Sequence, residues 1–252
     1  IFYEYILSFI VRSLNLKALN PNLPDEFLDT FDKDKYLQSQ EYTKTSSIFS
    51  YVTSTFSLVV TLVFILGFPV IGIDPIYNDI DQFLRSYNLN SIFTGLLFFG
   101  LLSIIIDFIN LPFGLYSTFI IEEKFGFNKT TLKTYFLDKL KGYFLIILIG
   151  FPLMALILFL FEKLDTYAWF FVWIIMIMFS LLLQPLYNTF IAPMFNKFTP
   201  LEEGPLLGNI KDYLKRVNFP VRKLEVMDGS RRTAHSNAYF SGIGKNKRIA
   251  LF

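Results

Sequence analysis

The chain carries one histidine, His235, and no cysteine. A catalytic zinc takes three protein ligands, mostly imidazoles with a carboxylate, so one imidazole cannot build that site. Cysteine-based zinc sites and disulfide frameworks are excluded by composition. A lone His most often serves as a surface or hydrogen-bonding residue. Around it lie Arg231, Arg232, Lys245, Lys247 and Arg248, a basic cluster. Two chemistries fit this cluster. One is attraction to anionic headgroups, about 1 kcal/mol per basic residue near a membrane surface. The other is capture of a substrate carboxylate by one Arg. The headgroup reading is preferred. Nucleic acid is not an expected partner, because most of the aromatics lie in the apolar runs rather than between these basic residues.

A second set of polar residues lies inside an apolar run. Asp107 and Asn110 are three residues apart, on one helical face. Polar groups at that depth are costly and face a bundle interior or water. Two readings stand. Either the pair lines an interior wall, or the helix ends near Asn110 and leaves Asp107 at the interface. Glu122 and Glu123 follow directly and read as a solvated, structural pair.

The elements that hold these residues are set by composition. Of 252 residues, 53% are hydrophobic and 17% charged, and 31 are Phe. An average soluble domain carries about 25% charge. So much Phe implies a lipid-facing surface. Apolar runs cover residues 48–73, 92–121, 142–161 and 169–191. Each reaches the roughly 20 residues needed to cross hydrocarbon as a helix. Kinks are expected at Pro112 and Pro185, since proline removes a backbone donor. The opening apolar stretch, residues 1–11, is too short to span. It reads as the remnant of a first spanning helix. Of the 23 Lys and Arg, all but Arg85 and Lys163 fall in alternate segments. Positive loops stay cytosolic, so residues 12–47, the loop between the second and third runs, and the tail face the cytosol.

Residues 20–47 read as a cytosolic loop with some helix. Leu207, Ile210, Tyr213, Leu214 and Val217 have helical spacing, which predicts an amphipathic helix over residues 206–217. Short strands are expected at residues 224–227, 238–240 and 248–252, with a turn at Asp228-Gly229 and a connection over residues 242–246. The last strand is expected to lack partners, so its domain reads as incomplete. The fold class is therefore an all-α multi-span membrane protein with a small, incomplete α+β domain facing the cytosol at its C-terminal end. Residues 1–198 form the membrane part and residues 199–252 begin the second domain.

Three stretches are distinctive. They are LYSTFIIEEKFGFNKT at 115–130, IAPMFNKFTPL at 191–201 and VMDGSRRTAHSNAYFSGIGKNKRIALF at 226–252. Together they resemble the type I CAAX prenyl endoproteases, multi-span zinc metalloproteases of the endoplasmic reticulum and inner nuclear membrane. The resemblance runs over most of the chain and is strongest from residue 191 on. It implies a helical membrane barrel around a large chamber, capped by a cytosol-facing zinc site. It also implies removal of the last three residues from farnesylated CAAX proteins. The family's zinc ligands lie on an HExxH helix and a later Glu-bearing helix, and these 252 residues hold neither. The resemblance thus implies a truncated zinc protease domain at 199–252, with zinc as the cofactor of the full enzyme. No catalytic residue and no metal ligand is assigned here, and the chain alone is expected to be inactive.

The resemblance also implies roles for residues that are present. Zinc proteases bind substrate backbone as an added strand on a sheet edge. Ser236 to Tyr239 resembles that edge. Asn237 would contact substrate through its side-chain amide, Ala238 through its main chain, and Tyr239 as its neighbour. An ordinary strand with a turn-forming Asn is the plainer reading. His235 is a candidate hydrogen-bond donor near the zinc or the transition state. The expected partners are the lipid bilayer and a farnesylated CAAX peptide or protein. The alternative function is non-catalytic: a pseudoprotease, or a membrane transporter or binding protein, which kinked spans with intramembrane polar residues also suit.

Overall fold

The computed structural model describes residues 1–68, 72–242, 244 and 247–252. It divides into two compact units, Ile1–Gly126 and Phe127–Phe252.

The first unit holds α1 (Phe2–Ala18), α2 (Lys33–Leu66), α3 (Ile76–Arg85) and α4 (Ser91–Tyr116). Asp32 caps α2 by accepting from the backbone N–H of Asp34 (2.9 Å) and Lys35 (3.0 Å). The Lys35 bond chiefly holds its carboxyl below the usual range. No Gly or Pro follows until Gly67. The helix therefore runs without a break from polar residues into the apolar run. The helix expected within residues 20–47 thus takes residues 33–47. The run's expected end at 73 crosses residues 69–71, which lie outside the described ones, and α2 itself ends at Leu66. Gly67 has φ +71°, and a Cβ there would clash with the Ile73 carbonyl oxygen. Helix α1 packs on α2 through Ser13 and Tyr51, whose hydroxyls are 2.7 Å apart, and through the Phe9 and Tyr51 rings at 4.8 Å.

Helix α4 continues past Asn110 to Tyr116, then widens into a π turn over Ser117–Glu122. The reading in which it ends near Asn110 is thus corrected. Asn110 stays in the helix by donating Nδ2–H to the Ile106 carbonyl at 2.9 Å. With Ser57, Thr61 and Tyr77 it lines a small cavity of about 150 Å³. Glu122 is not simply solvated, as expected, because it accepts a 2.5 Å hydrogen bond from Tyr42 of α2.

The second unit begins with α5 (Leu132–Leu145), capped by Thr131, whose Oγ1 accepts from the Thr134 N–H at 3.2 Å. A π turn over Ile146–Gly150 leads to α6 (Phe151–Leu164). A 3-10 turn at Asp165–Tyr167, with Asp165 at φ 41°, reverses the chain into α7 (Ala168–Leu186). Helices α6 and α7 pack against each other. A further π turn at Tyr187–Ile191 leads to α8 (Ala192–Phe195). Pro112, Pro152 and Pro185 each sit within about five residues of a π turn. Among the described residues, three helical stretches are long and apolar enough to cross a membrane: Lys33–Leu66, Ser91–Glu122 and Leu132–Phe195. The last is folded by its turn at Asp165–Tyr167.

The C-terminal part holds α9 (Pro205–Arg216) and four strands: β1 (Phe198–Pro200), β2 (Lys223–Met227), β3 (Ala238–Ser241) and β4 (Arg248–Leu251). The sheet order is β1-β2-β4-β3, with β2 and β4 parallel and the other pairs antiparallel. β4 is thus paired on both sides, which corrects the expectation that the last strand lacks partners. β1 was not expected at all: three residues ending in Pro200 carry no strand signal. The expected connection over 242–246 lies partly outside the described residues. Side chains alternate across a strand, so register sorts the two faces. Glu225, Tyr239, Ser241, Arg248 and Ala250 share one face. Leu224, Val226, Phe240, Ile249 and Leu251 share the other.

Candidate functional site

β3 is the outer strand of the sheet, and its register decides which groups are available. Asn237 and Phe252 exchange both backbone bonds, at 2.7 and 2.9 Å. In an antiparallel ladder such pairs alternate, so Tyr239 and Ser241 also spend their main-chain groups on β4. The N–H and C=O of Ala238 and Phe240 point instead to the open edge. The Ala238 N–H is held by the Asn237 side chain, whose Oδ1 accepts it at 2.8 Å. Asn237 and Ala238 are exposed. Tyr239 differs from both. Its side chain turns into the polar face of the sheet, and its buried hydroxyl has no partner among the described residues. Burial, with a smaller contribution from Tyr187, raises the pKa of that phenol.

The strand is approached by a segment that two of the distinctive stretches build together. Residues 127–130 lie against residues 232–234. Lys129 N–H donates to the Arg232 carbonyl (3.0 Å), Ala234 N–H to the Phe127 carbonyl (2.9 Å), and Asn128 and Thr233 form an antiparallel bridge. His235 emerges from this bridge exposed, its ring stacked on Phe127 at 3.9 Å and 26°. Its backbone N–H donates to Thr233 Oγ1 at 3.1 Å. Among the described residues no group of three His, Asp or Glu could hold a metal. The described residues do not fit a zinc ion.

The four basic residues that are described, Arg231, Arg232, Lys247 and Arg248, do not act as one cluster. Arg232 makes a two-pronged pair with Asp138 of α5, Nε to Oδ2 at 2.7 Å and Nη2 to Oδ1 at 2.9 Å. Its Nη1 donates to Asn196 Oδ1 at 2.9 Å. The hydrogen bond to Asp138 raises the pKa of this guanidinium further. Lys141 adds to the network by donating to the Met194 carbonyl at 2.9 Å and pairing with Asp138 at 3.7 Å. Arg248 is buried, paired with Glu225 at 2.5 Å, laid over the Phe198 ring at 3.9 Å, and bonded to the Asn188 carbonyl at 2.9 Å. Lys247 lies over Phe219 at 3.9 Å, and Arg231 makes an exposed 3.5 Å pair with Asp228. Lys245 lies outside the described residues. Arg232 therefore ties its segment to α5 and Asn196, and Arg248 ties β4 to β2 and to the turn after α7. Their partners Asp138, Asn188, Asn196 and Glu225 were not found from sequence, because pairs 23 to 94 residues apart leave no local spacing signal.

Known proteins are similar to this chain in sequence and in fold. Residues 13–197 match the family described as CAAX prenyl protease N-terminal, five membrane helices. The chain is 38% identical over 231 residues to the probable CAAX prenyl protease 1 of Schizosaccharomyces pombe, covering 88% of this chain and 48% of that protein. It is 36% identical over 241 residues to CAAX prenyl protease 1 of Saccharomyces cerevisiae, covering 94% and 53%. The crystal structure of S. mikatae Ste24p matches with TM-score 0.88 and 32% identity, over 100% of this chain and 58% of that one. The chain spans about half the length of the curated relatives it matches. With the match reaching across most of its residues, it belongs to the CAAX prenyl protease family.

Proposed function

We propose that this chain is the membrane and substrate-aligning part of a zinc metalloendopeptidase that removes the C-terminal tripeptide from prenylated CAAX proteins. The reading is carried by the open edge of β3, where the main chain of Ala238 faces outward beside the Asn237 amide. An extended peptide laid along this edge would exchange hydrogen bonds with Ala238 and Phe240 as an added strand. Asn237 would turn its amide from the Ala238 N–H to the peptide backbone. The membrane helices of the chain would supply chamber wall for the prenyl group. Zinc would be the cofactor of the full enzyme, where it would supply an activated water for peptide hydrolysis. Residues 1–198 would act as the membrane part and residues 199–252 as the beginning of the protease domain, on the cytosolic side of the endoplasmic reticulum or inner nuclear membrane.

Binding of a fluorescent farnesylated CAAX peptide to the purified chain in detergent tests this. Asn237→Asp places a carboxylate at the edge, where it holds the Ala238 N–H more tightly and repels the peptide's carboxylate. The expected loss is about 1–3 kcal/mol, or roughly 5-fold to 150-fold in affinity. An Asn237→Asp variant that binds as well as the parent removes the edge from the reading. Binding that ignores the farnesyl group favours a general peptide-binding or transport role.

A further inference from the structure

The polar face of the sheet borders a cavity of about 970 Å³ that the edge-strand reading does not use. Its lining includes five cations, Lys197, Arg222, Lys223, Lys247 and Arg248, and one acid, Glu225. Glu225 is already engaged, by Arg248 at 2.5 Å and Lys223 at 3.7 Å. The wall therefore keeps a strong positive excess. Arg248 is only 9% exposed, and its Nε–H has no acceptor among the described residues. A buried donor without a partner is costly, so an acceptor brought by a ligand would be strongly favoured.

The cavity's position narrows the ligand. Pro185, at the end of α7, and Asn188 and Thr189, in the π turn after it, also line the cavity. Arg248 donates to the Asn188 carbonyl and Ser241 to Asn188 Oδ1 at 2.7 Å, which ties the sheet to the end of this apolar helix. Where such a helix leaves hydrocarbon, the neighbouring groups are lipid headgroups. Basic pockets at that level take anionic headgroups. A phosphate offers several oxygens in one compact charge, which suits two or three ammonium groups together with a guanidinium N–H. The volume lies within the range of small-ligand sites.

We propose that this cavity binds a phosphate group presented by an anionic lipid headgroup of the surrounding bilayer. The proposal is independent of the peptide edge.

The test is thermal unfolding of the full chain in dodecyl maltoside, with phosphatidic acid or phosphatidylcholine added to the micelles. Phosphatidic acid is expected to raise Tm by roughly 2–4 °C over phosphatidylcholine. The double variant Lys197→Gln, Lys223→Gln should lose more than half of that shift. The variant Lys211→Gln, Lys215→Gln removes equal charge from α9, outside this cavity, and should keep it. Equal losses in both variants would mean diffuse surface charge and overturn the site. No shift in the parent chain would also overturn it. Inorganic phosphate at matched ionic strength separates the sources. If it gives the full shift the phosphate site stands but the lipid assignment falls, and if it gives none the headgroup assignment stands.

Discussion

Arg231 and Arg232 are adjacent in sequence and have unlike surroundings. The Arg231 side chain is 60% exposed and makes one 3.5 Å pair, the kind worth about 0–1 kcal/mol. The Arg232 side chain is 24% exposed and meets a carboxylate that is 23% exposed, through two parallel hydrogen bonds. Hydrogen bonds to charged groups in such settings contribute about 1.5–3 kcal/mol. Arg232→Ala should therefore destabilise the chain by about 2–3 kcal/mol and Arg231→Ala by less than about 1 kcal/mol. Chemical unfolding in detergent measures both. A double-mutant cycle with Asp138→Ala should give a coupling of about 1–2 kcal/mol, while additivity within about 0.5 kcal/mol would mean the pair is not a unit. From sequence the two arginines look alike, because nothing local records that one of them finds a carboxylate 94 residues away.

At the level of elements, periodicity was a good guide where one rule applied. The amphipathic spacing of α9 and the short apolar runs of β2, β3 and β4 were legible, since burial of one face sets both patterns. The start of α2 was not, because its polar first turns look like a loop and only the Asp32 cap marks them as helix. β1 was missed because a strand of three residues ending in proline is held by its partner alone. The parity of β3 was equally hidden, and it leads to a sharp expectation. Proline removes a backbone N–H, which an edge strand tolerates only where that N–H leaves the ladder. Ala238→Pro should fold nearly as well as the parent, since its N–H bonds only the Asn237 side chain. Tyr239→Pro should lose about 3 kcal/mol or more, since its N–H belongs to the ladder with β4. Unfolding transitions of the two variants decide this, and similar losses would mean that the strand is shifted by one residue.

Across the whole molecule, hydrophobic runs and the placement of basic residues set an expected membrane order without any contact information. Only Arg85 and Lys163 interrupt the alternation of the 23 Lys and Arg. The chain has no cysteine, so any cysteine introduced is a unique reporter of sidedness. In the second unit, Thr166 sits in the turn between α6 and α7, and Asn218 lies just past α9. Helix α7 alone has 19 residues, about 28 Å at 1.5 Å each, close to the roughly 30 Å of a hydrocarbon core. The two positions should therefore lie on opposite sides of sealed microsomes. Asn218→Cys is expected to react with a membrane-impermeant maleimide added outside, on the cytosolic face. Thr166→Cys is expected to react only after detergent opens the vesicle. In the first unit, Ser86→Cys should behave like Thr166→Cys and Lys44→Cys like Asn218→Cys. The positive-inside bias is a summed preference over many weakly acting charges, so one charge substitution should not reverse the pattern. If Thr166→Cys reacts as readily as Asn218→Cys in intact vesicles, α7 does not cross the bilayer. The headgroup level inferred for the end of that helix would then fall with it.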